Sequence, residues 1–167
     1  MNTQTQSQNP IAHLIGRIIR LFEMIPYSLI AFVARFSIAA VFWKSGQTKV
    51  EGFAVDLISG TFDLGWPHLA SSTVPLFASE YKVPLLSPEI AAHISAFSEH
   101  FFPVLILLGF ATRFSALALF GMTLTIQLFV YPDAYPTHGT WMAILLLLMA
   151  KGPGVFSIDQ LIARRYR

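Results

Sequence analysis

The stretch AFSEHFFPVLILLGFATRFSALALFGM, residues Ala96–Met122, decides the fold. It contains two apolar runs separated by a short turn. Each run extends far enough to cross a membrane, which takes about 17–25 residues in a helix. Glu99, His100 and Arg113 interrupt these runs. The stretch therefore predicts two neighbouring membrane-spanning helices that carry polar groups in an apolar setting.

The composition of the whole chain agrees with a membrane protein. Of its 167 residues, 54% are hydrophobic and 12% are charged, and the mean hydropathy is +0.60, whereas soluble domains carry about 25% charged residues. A net charge of +2 gives no basic field of the kind that binds nucleic acid. The chain has no cysteine, which excludes disulfides, thiolate metal sites and thiol redox chemistry on this chain.

Apolar runs on either side of this stretch bring the predicted spans to four. They cover about residues 27–45, 89–110, 113–131 and 136–150. Residues 1–10 predict a disordered tail, and helical spacing of apolar residues over 11–26 predicts an amphipathic helix in the membrane interface. A first loop of residues 46–88 is too long to be structureless and predicts short helices. The predicted fold is all-α: a four-helix membrane domain over residues 27–167, preceded by the amphipathic helix.

The distribution of Lys and Arg predicts the orientation. Seven of these residues fall on the side of the termini and three on the side of the long loop, with Arg35 left out because it lies inside the first span. Positive charges accumulate on the cytoplasmic side of membrane proteins. We therefore expect a multi-pass protein with cytoplasmic N- and C-termini.

Two charges lie at matching predicted depths. Arg35 falls about 12 Å from the cytoplasmic edge and Glu99 about 16 Å from it, at 1.5 Å per helical residue. An unpaired charge in the bilayer centre costs at least about 2.5–3.5 kcal/mol, so the two residues predict an ion pair. Whether the pair locks two helices or serves chemistry directly stays open. His100, next to Glu99, is the third candidate for a catalytic role.

A second polar group is predicted at the far mouth of the bundle. Lys44, His93, Gln127 and His138 fall near the far interface. Together they could bind a polar headgroup, a quinone carbonyl or a metal, although side chains at that height are often simply hydrated. Scattered histidines without thiolates match no ligand motif, so no metal site is predicted.

At these residues the chain resembles the DoxX family of small four-helix membrane proteins. The matching elements are Arg35, SGQTKVEGF (residues 45–53), EHFFPVLILLGFATR (99–113), His138 with Trp141, and GPGVFSID (152–159). The resemblance covers about residues 28–162. The insertion over 54–88 and the segment QLFVYPDAYPTHGTW resemble a proteobacterial branch, which is associated with enzymes that modify copper- or metal-responsive peptides.

The resemblance implies a function in the bacterial inner membrane. The family is named for a subunit of a thiosulfate:quinone oxidoreductase, so the implied role is a subunit that works with an oxidoreductase partner and holds a quinone beside Arg35, Glu99 and His100. The lack of cysteine argues against thiol–disulfide exchange by this chain. An alternative is a non-catalytic anchor or chaperone that recruits a soluble redox or peptide-modifying enzyme. A small transporter is the least favoured alternative, and a homo-oligomer is left open.

Overall fold

The computed structural model describes residues 10–56 and 59–166. Seven α-helices and one β-hairpin follow each other along this part of the chain. They are α1 (Pro10–Glu23), α2 (Tyr27–Gln47), β1 (Val50–Asp56), β2 (Thr61–Leu69), α3 (Thr73–Leu76), α4 (Pro88–Leu108), α5 (Thr112–Thr125), α6 (Tyr135–Lys151) and α7 (Ile158–Arg165). A π-helical turn extends α3 over Phe77–Tyr81 and another extends α5 over Ile126–Val130, and a 3-10 turn precedes α6 at Pro132–Ala134.

Three helices in the described part of the chain are long and apolar enough to cross a membrane. They are Tyr27–Gln47, Pro88–Leu108 and Thr112–Val130, close to the first three predicted spans. Helix α6 has 17 residues, about 26 Å at 1.5 Å per residue. It stands at the short end of the range for a span, so a fourth crossing remains a prediction.

The helices pack as a bundle in which α2 contacts α4, α5 contacts α6, and α4 contacts α5. The largest fully buried apolar side chains are Ile38, Phe42, Ile106, Leu119, Leu145 and Leu148. Between them lie alanines that let the helix backbones approach closely: Ala31, Ala34, Ala39, Ala92, Ala96 and Ala116. Large apolar side chains also cover the outside of these helices, as expected where lipid is the solvent: Phe32, Phe36, Ile94, Phe97 and Leu117.

The first loop corrects the all-α prediction. Strands β1 and β2 pair in an antiparallel hairpin, and only the segment after it, α3 with its π turn, forms the short helices that were predicted. The missed signal is alternation of apolar and polar side chains in TFDL at the start of β2, which is typical of a strand, whereas VEGFAVD shows no such alternation. The glycine and proline of GWPH indicated a turn and concealed the rest of β2.

The N-terminal region forms a helix at the position of the amphipathic helix that was predicted over residues 11–26. Helix α1 spans Pro10–Glu23, and none of its residues is buried against the rest of the protein. The predicted disordered tail, residues 1–10, lies outside the described residues except for Pro10, which begins α1.

Candidate functional site

A cavity of about 390 Å³ lies between α4, α5 and α6. Its walls are mostly apolar, and the segment of residues 73–86, here called the covering segment, contributes four side chains to them. The apolar lining comprises Phe77, Val83, Leu86, Ala91, Ile94, Phe102, Ala118, Met122, Ile126, Val130 and Trp141. The polar lining comprises Ser45, Lys49, Tyr81, Ser95, Ser98, Glu99, Thr125, Tyr131 and His138. An apolar chamber with a few polar groups is the usual form of a small-molecule site.

An ion pair in the cavity wall is the most polar feature of the protein interior. Lys49 Nζ lies 2.8 Å from Glu99 Oε2, and the two side chains are only 6% and 3% exposed. Lys49 also donates to the carbonyl and hydroxyl oxygens of Ser45, at 3.2 and 3.0 Å. The Ser95 hydroxyl donates to Glu99 Oε1 at 3.2 Å. Within the described residues Glu99 Oε2 accepts no hydrogen bond of good geometry, so its contact with Lys49 is ionic and the buried oxygen keeps unused capacity to accept a hydrogen bond.

The predicted Arg35–Glu99 pair is wrong. Arg35 instead donates from Nη1 to the carbonyl oxygen of Leu107 at 2.9 Å and from Nη2 to that of Phe156 at 2.5 Å, with Ile106 O at 3.4 Å from Nη1. The last carbonyls of a helix have no partner within it, and α4 ends at Leu108. Because α2 is offset along α4, Arg35 meets the end of α4 and Lys49 meets Glu99. Depths measured separately on each helix cannot reveal this offset.

His100 faces away from the cavity and joins α4 to the hairpin. Its Nδ1 lies 2.7 Å from the Ala96 carbonyl oxygen, and its Nε2 lies 2.8 Å from Gln47 Nε2. Gln47 Oε1 accepts from the Val55 N–H at 2.7 Å. One neutral tautomer, with a proton on Nδ1, satisfies all of these contacts. A Cβ on Gly46 would lie 2.8 Å from the His100 ring, so glycine permits the close approach, and the contacts of His100 here are with the backbone of α4 and with Gln47.

The second predicted cluster comes together only in part. His138 is buried in the cavity wall, and its Nδ1 lies 2.8 Å from Gln127 Oε1. Gln127 Nε2 in turn donates to the Pro132 carbonyl oxygen at 2.6 Å. Lys44 and His93 are exposed and do not line the cavity. Of the four predicted residues, His138 is thus the one that a ligand in the cavity would meet.

Two tyrosines that sequence reasoning missed join the covering segment to the end of α5. Tyr131 donates a hydrogen bond to Glu80, and the Tyr81 and Tyr131 rings meet edge to face at 5.8 Å. The hydrogen bond to Glu80, followed by burial, raises the pKa of Tyr131 well above its usual range, and burial raises the pKa of Tyr81. Both hydroxyls therefore stay protonated at neutral pH. Tyr131 gives its hydrogen to Glu80, which leaves the Tyr81 hydroxyl able to donate to a ligand. Each tyrosine lies at the end of a π turn, a distortion that is frequent at functional sites and that local sequence patterns do not show.

Lys49 was also missed, although it lies in the quoted segment SGQTKVEGF. Because Lys49 was assigned to the outer loop, its pairing with Glu99 was not predicted. The chain turns back directly after α2, so that Lys49 Nζ returns to Ser45, four residues earlier. A signal was present, because a buried acid in the next span requires a cation near it.

One of the comparisons with known proteins identifies a family. The family model described as DoxX matches residues 30–132, a range that contains Arg35, Lys49 and Glu99. A Haemophilus influenzae protein, described as uncharacterised, is 31% identical over 142 residues, which make up 80% of this chain and 83% of that protein. No solved structure matches the chain.

Proposed function

The chain belongs to the DoxX family of membrane proteins, and on that premise we propose that it is an inner-membrane component of an oxidoreductase system that holds the head group of a lipid-soluble quinone. The observation that carries the proposal is the Lys49–Glu99 pair in the wall of a mostly apolar cavity between membrane helices. A purely structural ion pair has no need of a chamber beside it.

The cavity suits a quinone in size and chemistry. Its volume of about 390 Å³ lies in the range of about 300–1,000 Å³ that small-molecule sites occupy. A quinone ring presents two apolar faces and two carbonyl oxygens that accept hydrogen bonds. The apolar walls suit the faces, and the protonated hydroxyl of Tyr81 is an available donor among the lining groups, whereas Tyr131 already donates its hydrogen to Glu80. Glu99 Oε2 can accept a proton from the reduced form, the hydroquinone.

The electrons for such a reaction come from a partner. Reduction of a quinone to a hydroquinone takes two electrons and two protons, and this chain has no thiol pair to supply electrons. In the proposal an oxidoreductase partner supplies or accepts the electrons. This chain binds the ring, excludes water from it and, when the hydroquinone is oxidised, offers the Glu99 carboxylate for one of the two protons released; the second proton passes to the partner that takes the electrons.

The proposed topology places α6 as a fourth span, with both termini in the cytoplasm and α1 in the interface. The chain has no cysteine, so single cysteines report the topology cleanly. We expect Asp133→Cys, before α6, to react with an impermeant maleimide in intact spheroplasts, and Arg164→Cys, after α6, to react only after lysis. Both positions are exposed. Equal labelling of the two in intact spheroplasts would place them on one side and exclude the fourth span.

Quinone binding can be measured directly. With the protein in lipid nanodiscs, a short-chain ubiquinone should quench the fluorescence of Trp141, which lines the cavity, in a saturable manner. Loss of a hydrogen bond to a charged group costs about 1.5–3 kcal/mol, roughly tenfold or more in affinity. Glu99→Gln, which removes the acceptor for a hydroquinone hydroxyl, should therefore weaken binding of the reduced ubiquinone, measured by competition with the oxidised form, at least about tenfold. Lys49→Met should do the same, because it removes the cation that holds the Glu99 carboxylate in place.

The matched control for these variants is Lys44→Met. Lys44 lies on the same stretch of chain as Lys49 but is exposed and outside the cavity, so its loss should leave affinity unchanged. Thermal unfolding of each variant, recorded in the same nanodiscs, separates loss of binding from loss of the fold. Folded variants of Glu99 and Lys49 that bind as tightly as the unaltered protein would contradict the proposal and favour a non-catalytic anchor.

A further inference from the structure

The hairpin exposes an unusual set of apolar side chains. In β2, Phe62 is 62% exposed, Leu64 is 75% exposed and Trp66 is 89% exposed. Single exposed apolar residues are common on proteins, whereas a contiguous apolar patch marks a contact with a partner or a membrane. Three large side chains at alternate positions of one short strand form such a patch.

The hairpin is held against the last turns of α2. Only two residues separate the end of α2 at Gln47 from the start of β1 at Val50. The Trp43 Nε1–H donates to the Val55 carbonyl oxygen at 2.8 Å, and the Val55 N–H donates to Gln47 Oε1 at 2.7 Å. The hairpin therefore folds back along the span instead of projecting away from it.

These contacts fix the depth of the apolar patch along the membrane-spanning helix α2. Trp43 lies four residues before the end of α2, about 6 Å inside the span. The Phe53 ring packs edge to face on Trp43, with 6.2 Å between ring centroids, and Phe53 is paired with Leu64 across the hairpin. Paired residues of an antiparallel sheet project from the same face. Leu64 thus extends an apolar surface that begins on the membrane helix itself.

A bulge sets the position of Trp66. Between the pairs Glu51–His68 and Phe53–Leu64, β1 has one residue and β2 has three. Gly52, the single residue of β1, has φ +78°, and a Cβ there would lie 2.6 Å from the Trp66 carbonyl oxygen. Bulges of this kind re-aim side chains, and this one leaves Trp66 the most exposed residue of the patch.

We propose that the patch formed by Phe62, Leu64 and Trp66 lies in the headgroup–acyl boundary of the leaflet where α2 ends, so that its occupant is lipid. The patch lies beside the last turns of a membrane-spanning helix, and this depth favours lipid over a soluble partner as its occupant. Trp and other aromatic side chains concentrate at this boundary. The second edge of β2 has no neighbouring strand among the described residues, and its backbone groups need water or headgroups, which the boundary supplies and the hydrocarbon centre does not.

Spin labels on single cysteines test this placement in the otherwise cysteine-free chain. We expect labels at Phe62→Cys and Leu64→Cys, in nanodiscs, to collide more with oxygen, which partitions into lipid, than with a water-soluble nickel chelate. Asp63→Cys, between them, is exposed on the opposite face and is the matched control. Its oxygen-to-nickel ratio should be severalfold lower, so that the ratio alternates along the strand.

Two results would overturn the proposal. One is high nickel accessibility at all three positions, which would place the hairpin in water. The other is exclusion of both reagents at positions 62 and 64 in purified protein, which would indicate a second copy of the chain on the patch. Thermal unfolding of each labelled variant confirms that the comparison is made on folded protein, and labels at exposed positions are expected to leave it unchanged.

Discussion

Replacing Glu99 by Gln, or Lys49 by Met, is expected to lower the free energy of unfolding by about 3–5 kcal/mol, because either change leaves the other charge buried without its partner. Both side chains are almost fully buried, at 3% and 6% exposure, so water cannot compensate. The double variant Lys49→Met with Glu99→Gln should recover most of the loss, since replacing both members of a buried pair is often nearly neutral. Unfolding in mixed detergent micelles with increasing dodecyl sulfate measures all three.

The design separates pairing from general damage. Lys44→Met, which alters an exposed lysine, should leave the free energy of unfolding unchanged. If the losses from the two single variants simply add in the double variant, the residues do not interact, and the proposed site loses its central feature. If stability recovers in the double variant while quinone binding does not, the pair serves binding as well as packing.

Arg35→Met is expected to lower the free energy of unfolding by about 3 kcal/mol or more, because hydrogen bonds from a charged donor contribute about 1.5–3 kcal/mol each and the Leu107 and Phe156 carbonyls would both lose that donor. The Arg35 guanidinium joins the end of α4, at Leu107, to the segment before α7, at Phe156. Arg35→Lys should recover only part of the loss, since an ammonium group cannot reproduce the planar fork of donors. Thermal unfolding in detergent ranks the stability of the unaltered protein, Arg35→Lys and Arg35→Met.

The Arg35 variants also test where the site lies. Arg35 does not line the cavity, so Arg35→Met protein that remains folded should bind the short-chain ubiquinone with unchanged affinity. Arg17→Met, in the exposed helix α1, is the control for removing an arginine and should leave stability unchanged. Loss of quinone binding in folded Arg35→Met protein would show that the cavity is the wrong site.

The amino-acid sequence by itself determined the membrane character and the long helices. Predicted spans at residues 27–45, 89–110 and 113–131 compare with helices at Tyr27–Gln47, Pro88–Leu108 and Thr112–Val130. Hydropathy and helix-breaking glycines are local properties of the chain, so a single sequence suffices for them. The sequence also determined that Glu99 needs a cation, because the cost of a buried charge does not depend on which partner offsets it.

The tertiary structure decided which cation that is. Lys49 lies beyond the end of its helix and Arg35 lies within it. The axial offset between α2 and α4 brings Lys49 to Glu99 and Arg35 to the carbonyls at the end of α4. The hairpin likewise depends on distant contacts, since Trp43 and Gln47 hold Val55. Periodicity within a segment carries no information about the offset between segments, and that offset assigns each buried charge its partner.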